Sequence, residues 1–240
     1  MRRIGCLRRS SSSSDGIIAI EYTWLPLLTP IMLTEPATML TDYGLGLLCA
    51  LLGHRLWRTG KASGHTSVMY WAVGMGALAV ASFAGGTVHG FSLMLAESVL
   101  HALWKGTAFA IGLASCCFLT GTIIAAVAQP LRQGLIVAAA LQFACYAAWM
   151  ATYDEFRYVI YNYGMTLAVI LLVQIYQGVI RKALSAGWIV AGILVSFGGA
   201  LVQQSGLALH PSFNHNDLYH VIQMVGMGLL YRGAALLQDR

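Results

Sequence analysis

Charged residues are scarce in this chain of 240 amino acids: Asp, Glu, Lys and Arg together make up only 10%, whereas hydrophobic residues make up 58%. Soluble domains usually carry about 25% charged residues, because a surface that faces water needs them. The scarcity therefore excludes an ordinary soluble domain and predicts an integral membrane protein. At about 20 residues for each crossing, the length suffices for one polytopic bundle and leaves no room for a sizeable soluble domain.

Cysteines are also few, and none of the five stands in a CxxC pattern or at a Cys/His spacing typical of metal ligands. Four of them lie inside apolar runs, where a free cysteine behaves as a small core residue. The net charge of +5 comes from basic residues scattered between apolar runs, without the basic, aromatic-containing surface that is typical of nucleic-acid binding. We therefore expect neither a disulfide framework nor a nucleic-acid partner.

Long apolar runs dominate the chain. When hydropathy is averaged over about 20 residues, the length of one membrane crossing, these runs lie near residues 36–57, 67–90, 98–126, 133–152, 157–180, 184–205 and 216–237. The pattern predicts an all-α fold, a polytopic membrane protein with seven transmembrane helices over residues 35–240.

The connections between the apolar runs alternate in charge. Basic residues mark the first, third and fifth connections and the C-terminal tail, whereas the opposite connections carry Glu97, Asp154, Glu155 and Asp217. Cytoplasmic loops of membrane proteins carry an excess of Lys and Arg. The alternation therefore predicts an integral multi-pass protein with its C-terminus in the cytoplasm and its N-terminus outside the cell or in a lumen.

Residues 1–34 do not fit this topology, because their Arg- and Ser-rich start would place four arginines on the outer side. A leader that is cleaved or disordered removes the conflict. Residues 17–33 are apolar, but Glu21, Pro26 and Pro30 argue against a continuous spanning helix. We predict a leader or interfacial segment over residues 1–34, with an eighth crossing or a signal sequence as alternatives.

Polar groups within the apolar runs concentrate in the predicted outer half. They are Glu35, Asp42, His89, Glu97, His101, Lys105, Asn216, Asp217 and His220. Ionisable groups inside a membrane are costly and normally face the interior of the bundle, where they find partners. We therefore expect helices 1, 2, 3 and 7 to surround one polar pocket.

One ion pair is expected within that pocket. Asp42 lies on the face of Glu35 and about 10 Å deeper, while Glu97, His101 and Lys105 share one face of the third helix at intervals of four residues. Lys105 opposite Asp42 is expected to form an ion pair, with either a structural or a functional role. Glu35, Asp42, Lys105 and Asn216 are accordingly candidates for a structural polar network.

Histidines of similar depth suggest a metal site. Three neutral imidazoles with an open fourth position make a catalytic zinc site that acidifies a bound water, and His89, His101 and His220 are the candidate ligands. His215 is a further candidate, although a spacing of five residues turns it about 140° away from His220 on a regular helix. Glu97 or Asp217 would orient a ligand or accept a proton. A boundary histidine that is merely hydrogen-bonded is the alternative for each.

Several of these residues resemble the motifs of alkaline ceramidases, within the seven-helix superfamily that includes the progestin/adipoQ receptors. Alkaline ceramidases have an acidic residue opening helix 1 followed by Ser-Asn, Ser-x3-His on helix 2, an Asp early in helix 3 and His-x3-His on helix 7. The similar residues here are Glu35 to Asp42, His89, Glu97 and the segment NDLYHVIQMVG. Gly85 replaces the serine, and Asn216 replaces the first histidine of the last motif. The chain also resembles an uncharacterised bacterial-type membrane family with EP-x-T-x-L-T-D and ND-LYH.

The resemblance implies a zinc-dependent intramembrane hydrolase of lipid amide or ester bonds, with a membrane lipid as substrate. A second hypothesis is a non-enzymatic seven-helix receptor or small-molecule binder that uses the same pocket without metal. A third is a polar network whose only role is structural. Asn216 favours the last two hypotheses, and the similar depth of His89, His101 and His220 favours the first.

Overall fold

A computed structural model of the chain describes residues 33–210 and 212–240; the predicted leader lies almost entirely outside these ranges. Within them the chain forms seven α-helices joined by short connections, which confirms the all-α prediction. The helices are α1 (Pro36–Ser63), α2 (Thr66–Phe91), α3 (Glu97–Ala126), α4 (Leu131–Thr152), α5 (Phe156–Arg181), α6 (Leu184–Ser205) and α7 (His215–Ala234).

The predicted apolar segments correspond to these helices one for one. The largest difference is at the end of α1, which continues past the apolar run because its polar last turns contain no proline. Gly64 then ends α1 with φ of 74°, a left-handed conformation that glycine adopts without steric cost. Pro36 occupies the start of α1, where the missing N–H and the fixed φ of proline suit the first helical turn.

Six of the helices, α1 to α6, are long and apolar enough to cross a membrane, in the part of the chain that the structure describes. Length and composition thus indicate a multi-pass membrane protein. α7 is outside this set because Asn216, Asp217, His220, Gln223 and Arg232 lower its apolar content.

Six helices form a closed ring. α2 packs between α1 and α3, α3 packs against α5, α6 packs between α5 and α7, and α7 returns to α1. α4 contacts mainly α3, outside the ring. The ring order brings the starts of α1 and α7 side by side, although they are far apart in sequence.

Glycines allow close contact between α6 and α7. A Cβ atom at Gly226 would lie 2.8 Å from Ser196 Oγ, and one at Gly192 would lie 2.7 Å from Leu230 Cγ. Small residues at such crossings let two backbones approach closely, which is the usual way that helices pack within a membrane.

The two ends of the bundle hold different connections. At one end, called the inner end after the predicted topology, Asp239 accepts hydrogen bonds from the backbone N–H groups of Thr66 and Ser67, and the Arg240 N–H donates to the Ile124 carbonyl. At the outer end, the Thr34 N–H donates to the Gly90 carbonyl. The helices therefore alternate in direction.

Candidate functional site: a polar cavity at the outer end

A cavity of about 440 Å³ runs from the outer end toward the middle of the bundle, within the ring of six helices. Most of its wall is apolar. The polar side chains that line it are Asp42, Ser82, His89, Thr107, Tyr163, Ser196, Gln203, Gln204, Asn216, Tyr219, His220 and Gln223. α5 and α6 contribute to this wall in addition to the four helices predicted from the sequence.

His220 and Asp42 form a buried polar contact in the wall of the cavity. His220 Nε2 lies 3.3 Å from Asp42 Oδ1, and His220 Nδ1 lies 3.0 Å from Thr41 Oγ1. The two residues are 7% and 6% exposed. An isolated charge at such a position is costly. The contact between the imidazole and the carboxyl group therefore stabilises both buried side chains.

The contacts of Thr41 restrict the protonation of this pair. Its hydroxyl lies 3.0 Å from the carbonyl oxygens of Ala37 and Thr38 and has a single proton to donate. If that proton goes to His220 Nδ1, then Nε2–H donates to the Asp42 carboxylate. If the Thr41 proton goes to a carbonyl oxygen, His220 Nδ1–H donates to Thr41 Oγ1. His220 Nε2 and Asp42 Oδ1 would then face each other with lone pairs, and a proton between these two atoms avoids that repulsion. A proton lies between His220 and Asp42 in either favourable arrangement.

His89 and Glu35 form a second pair nearer the outer surface. His89 Nδ1 lies 2.9 Å from Glu35 Oε2, and the Glu35 N–H donates to the His89 carbonyl. The side chain of Glu35 thus reaches α2 and does not cap its own helix. With Nδ1–H donating to a carboxylate, the other ring nitrogen of His89 is an acceptor, as in many ligand histidines.

The polar face of α3 lies away from the cavity. Lys105 Nζ is 2.6 Å and His101 Nε2 is 3.3 Å from Asp154 Oδ1, in the connection between α4 and α5. The hydrogen bond from Lys105 holds the pKa of Asp154 below its ordinary value. The predicted pairing of Lys105 with Asp42 is therefore wrong.

Lys105 pairs with Asp154 and not with Asp42 because of the rotation of α3 about its own axis. Trp104, Thr107 and Ile111 line the cavity, and their face is roughly 90° away from that of Glu97, His101 and Lys105 at 100° for each residue. Glu97 is exposed. α2 also separates α3 from Asp42 on α1.

Asp217 serves the start of α7. Its Oδ2 accepts a hydrogen bond of 2.6 Å from the Asn214 N–H, and the Asn214 side chain accepts from the N–H groups of Asn216 and Asp217. This reciprocal arrangement is a capping box. Asp217 is buried but is not among the residues that line the cavity.

The predicted set of three histidines does not assemble. His89 and His220 line the cavity, whereas His101 faces Asp154 and His215 is not part of the wall. Among the residues that the structure describes, no three His, Cys, Asp or Glu side chains are grouped so that they could hold a metal ion. Histidine and carboxylate side chains are present, but they fit a zinc site only in part.

Two fully buried polar atoms of cavity-lining residues have no hydrogen-bond partner within the described residues. They are the hydroxyl of Tyr163 and Oε1 of Gln223, both buried. Sequence reasoning missed Gln223, although it lies three residues after His220 and so on the same side of α7. Sequence reasoning also missed Gln203, which donates a hydrogen bond of 3.1 Å to Asn216 Oδ1. The one sign of its role in the sequence is its position as a polar residue in an apolar helix.

Comparison with known proteins places the chain in a family without assigning an activity. Residues 37–239 match a family described as a family of unknown function (DUF6962). No curated protein matches the chain. The matched range includes all seven helices except the first residue of α1.

Proposed function

The chain belongs to this family of unknown function, and we propose that it is a membrane protein whose outer cavity binds an amphiphilic small molecule, a membrane lipid or a lipid-like compound. The observation that carries the proposal is the pair of unpartnered buried groups, Tyr163 Oη and Gln223 Oε1, in a largely apolar cavity. Ligand sites are typically apolar with a few convergent polar groups. A buried polar atom without a partner is costly, so a ligand that supplies one binds preferentially.

The proposal includes seven crossings and a fixed orientation. α7 begins beside Thr41 and Asp42 at the outer end, and the chain that follows it reaches Thr66 at the inner end. Its 20 residues are about 30 Å long, enough to span a bilayer core. The inner end carries most of the basic connections, which supports a cytoplasmic C-terminus and an N-terminus outside or in a lumen.

A binding experiment tests the cavity. The probe is a monoacylglycerol, which combines an acyl chain with hydroxyl groups, and an alkane of equal chain length serves as the apolar comparison. We expect saturable binding of the monoacylglycerol to the purified protein. The double variant Tyr163→Phe with Gln223→Leu should weaken it about ten-fold, since each hydrogen bond contributes about 0.5–1.5 kcal/mol.

Gln174→Leu is the matched control, because Gln174 is also a buried glutamine with an unpartnered oxygen but does not line the cavity. It should leave the affinity unchanged. Equal affinity for the monoacylglycerol in the wild type and the double variant would contradict the proposal.

A zinc-dependent hydrolase of lipid amide or ester bonds is the second candidate, and the hydrogen bond that His89 Nδ1–H donates to the Glu35 carboxylate favours it. Carboxylate partners of this kind orient histidines that bind zinc, and His89 and His220 are the residues that would hold the ion. Bound zinc would acidify a water molecule for hydrolysis. Two histidines hold zinc weakly, and His101 and Asp217 have other partners, so the geometry supports a binding function better.

Metal analysis separates the two candidates. The protein is washed with a chelator, dialysed and assayed for zinc in the wild type, His89→Ala and His220→Ala. Stoichiometric zinc that is lost in both variants would establish the hydrolase-type site. Zinc that is equally abundant in all three proteins would place any metal elsewhere.

A further inference from the structure

A second cavity, of about 580 Å³, opens at the inner end of the bundle. It lies between the end of α3, the start of α4, the last turns of α5 and Arg240. Its wall is apolar where it follows α5, with Leu172, Val173 and Tyr176. Arg181 and Arg240 lie at the inner margin, so the cavity has one apolar and one cationic part.

Two guanidinium groups meet at one carbonyl oxygen at this margin, and a third arginine bonds to the backbone beside them. Arg181 and Arg240 both donate to the carbonyl oxygen of Ala126, over 3.4 and 3.3 Å, and Arg132 donates to the Arg240 carbonyl over 2.6 Å. None of them contacts an Asp or Glu side chain within the described residues. Like charges around one neutral carbonyl repel each other, and an anion between them would remove that repulsion.

Gln177 provides a second and independent sign of a ligand. It lines the cavity one helical turn before Arg181, about 6 Å farther from the inner end. The residue is only 7% exposed, and its Oε1 has no hydrogen-bond partner among the described residues. Rotation of the carboxamide by half a turn exchanges its oxygen and nitrogen, so it can offer either a donor or an acceptor to a bound molecule.

We propose that this inner cavity binds an anionic phospholipid, with the phosphate held by Arg181 and Arg240 and the ester region of the lipid facing Gln177. Arginine binds phosphate oxygens through paired N–H groups in one plane. The order of groups along α5, first cationic, then amide, then apolar, follows the order of phosphate, ester and acyl chain in a phospholipid.

The apolar wall distinguishes a phospholipid from a free phosphate ion. Leu172 is 69% exposed and Tyr176 is 52% exposed, so both are available to an acyl chain on the outside of the helix ring. A free anion would use the arginines alone. Basic pockets between helices on the cytoplasmic side of membrane proteins are typical headgroup sites.

The test compares phosphatidylglycerol with phosphatidylcholine of identical acyl chains. Binding of each to the purified full-length protein is measured by native mass spectrometry, and inorganic phosphate is added as a soluble competitor. We expect the wild type to prefer phosphatidylglycerol. The double variant Arg181→Gln with Arg240→Gln should reduce this preference about five-fold for each arginine, because a basic residue near a membrane surface contributes about 1 kcal/mol to anionic-lipid binding.

Arg58→Gln is the matched control, since Arg58 is an exposed basic residue near the inner end that does not line the cavity; it should retain the full preference. If the double glutamine variant does not fold, Arg181→Lys with Arg240→Lys replaces it, and a partial loss of preference is expected. An unchanged preference in the variants, an equal loss in Arg58→Gln, or complete displacement of the lipid by inorganic phosphate would each overturn the proposal.

Discussion

At the scale of single residues, the buried contact between His220 and Asp42 is the most distinctive feature of the outer cavity. Each group is more than nine-tenths buried, and Thr41 holds the second nitrogen of the imidazole. Removal of one member of a buried pair leaves the other uncompensated, which is far more destabilising than removal of both. The pair therefore has a measurable signature in the stability of the protein itself.

We predict strong coupling in a double-mutant cycle of Asp42→Asn and His220→Ala. His220→Ala alone should lower the free energy of unfolding by about 3–5 kcal/mol, and the double variant should recover part of the loss, with an interaction energy of about 0.5–3 kcal/mol. Denaturant unfolding in detergent measures both. The parallel cycle of Asp42→Asn with Lys105→Met is the control and should be additive, since Lys105 pairs with Asp154. Additive losses for the first pair would argue against the contact.

At the scale of the elements, the start of α2 is capped from outside its own sequence. His65 makes no side-chain cap, and the carboxylate of Asp239 accepts from the first N–H groups of α2 over 2.7 and 2.9 Å. A carboxylate at this position satisfies free N–H groups and interacts favourably with the helix dipole. The contact thereby ties the C-terminal segment to α2.

The cap gives a prediction about pH. Burial alone would raise the pKa of Asp239, but the hydrogen bonds from Ser67 and Thr66 outweigh it, so the pKa is lowered. A lowered pKa means that the contribution to stability is present above the unfolded pKa of about 3.9 and is lost as the pH falls through the folded pKa. Asp239→Asn should lower the free energy of unfolding by about 1 kcal/mol at neutral pH and by less in acid.

Unfolding of the wild type and Asp239→Asn across this pH range is the measurement. Glu97→Gln serves as the comparison, because the exposed Glu97 lies at the opposite end of the bundle. A difference between the wild type and Asp239→Asn that stays constant down to strongly acidic pH would contradict the role of the charged cap.

At the scale of the whole molecule, the two ends of the bundle differ in charge and in the chemistry that they offer. The outer end has a largely apolar cavity with histidine–carboxylate pairs, and the inner end has a more open cavity with arginines at its margin. This polarity follows from the alternation of charged connections along the sequence, because successive helices run in opposite directions.

Orientation in the membrane is testable by cysteine labelling. In a background without native cysteines, Ser212→Cys should react with an impermeant reagent applied from outside, whereas Lys61→Cys should react only after the membrane is opened. Both positions are exposed, so accessibility within the protein does not limit either reaction. Labelling of position 61 but not of position 212 from outside would reverse the proposed topology.

The bounds of the helices could be predicted from the sequence alone, and so could the end of the bundle near which each polar residue lies. Hydropathy over a window of spanning length is a local property, so the bounds of α4 and α6 could be predicted closely. The depth of Asp42, His89 and His220 followed from counting residues along a regular helix.

The direction in which each helix face points could not be predicted, because it depends on packing in the folded bundle. Glu97, His101 and Lys105 share one face, as predicted, but packing against α2 and α5 turns that face toward Asp154. Tyr163 enters the cavity because α5 closes the ring. The rotation of an apolar helix depends on the packing of all its neighbours, since lipid and protein interior are equally apolar, and no local pattern in the chain specifies it.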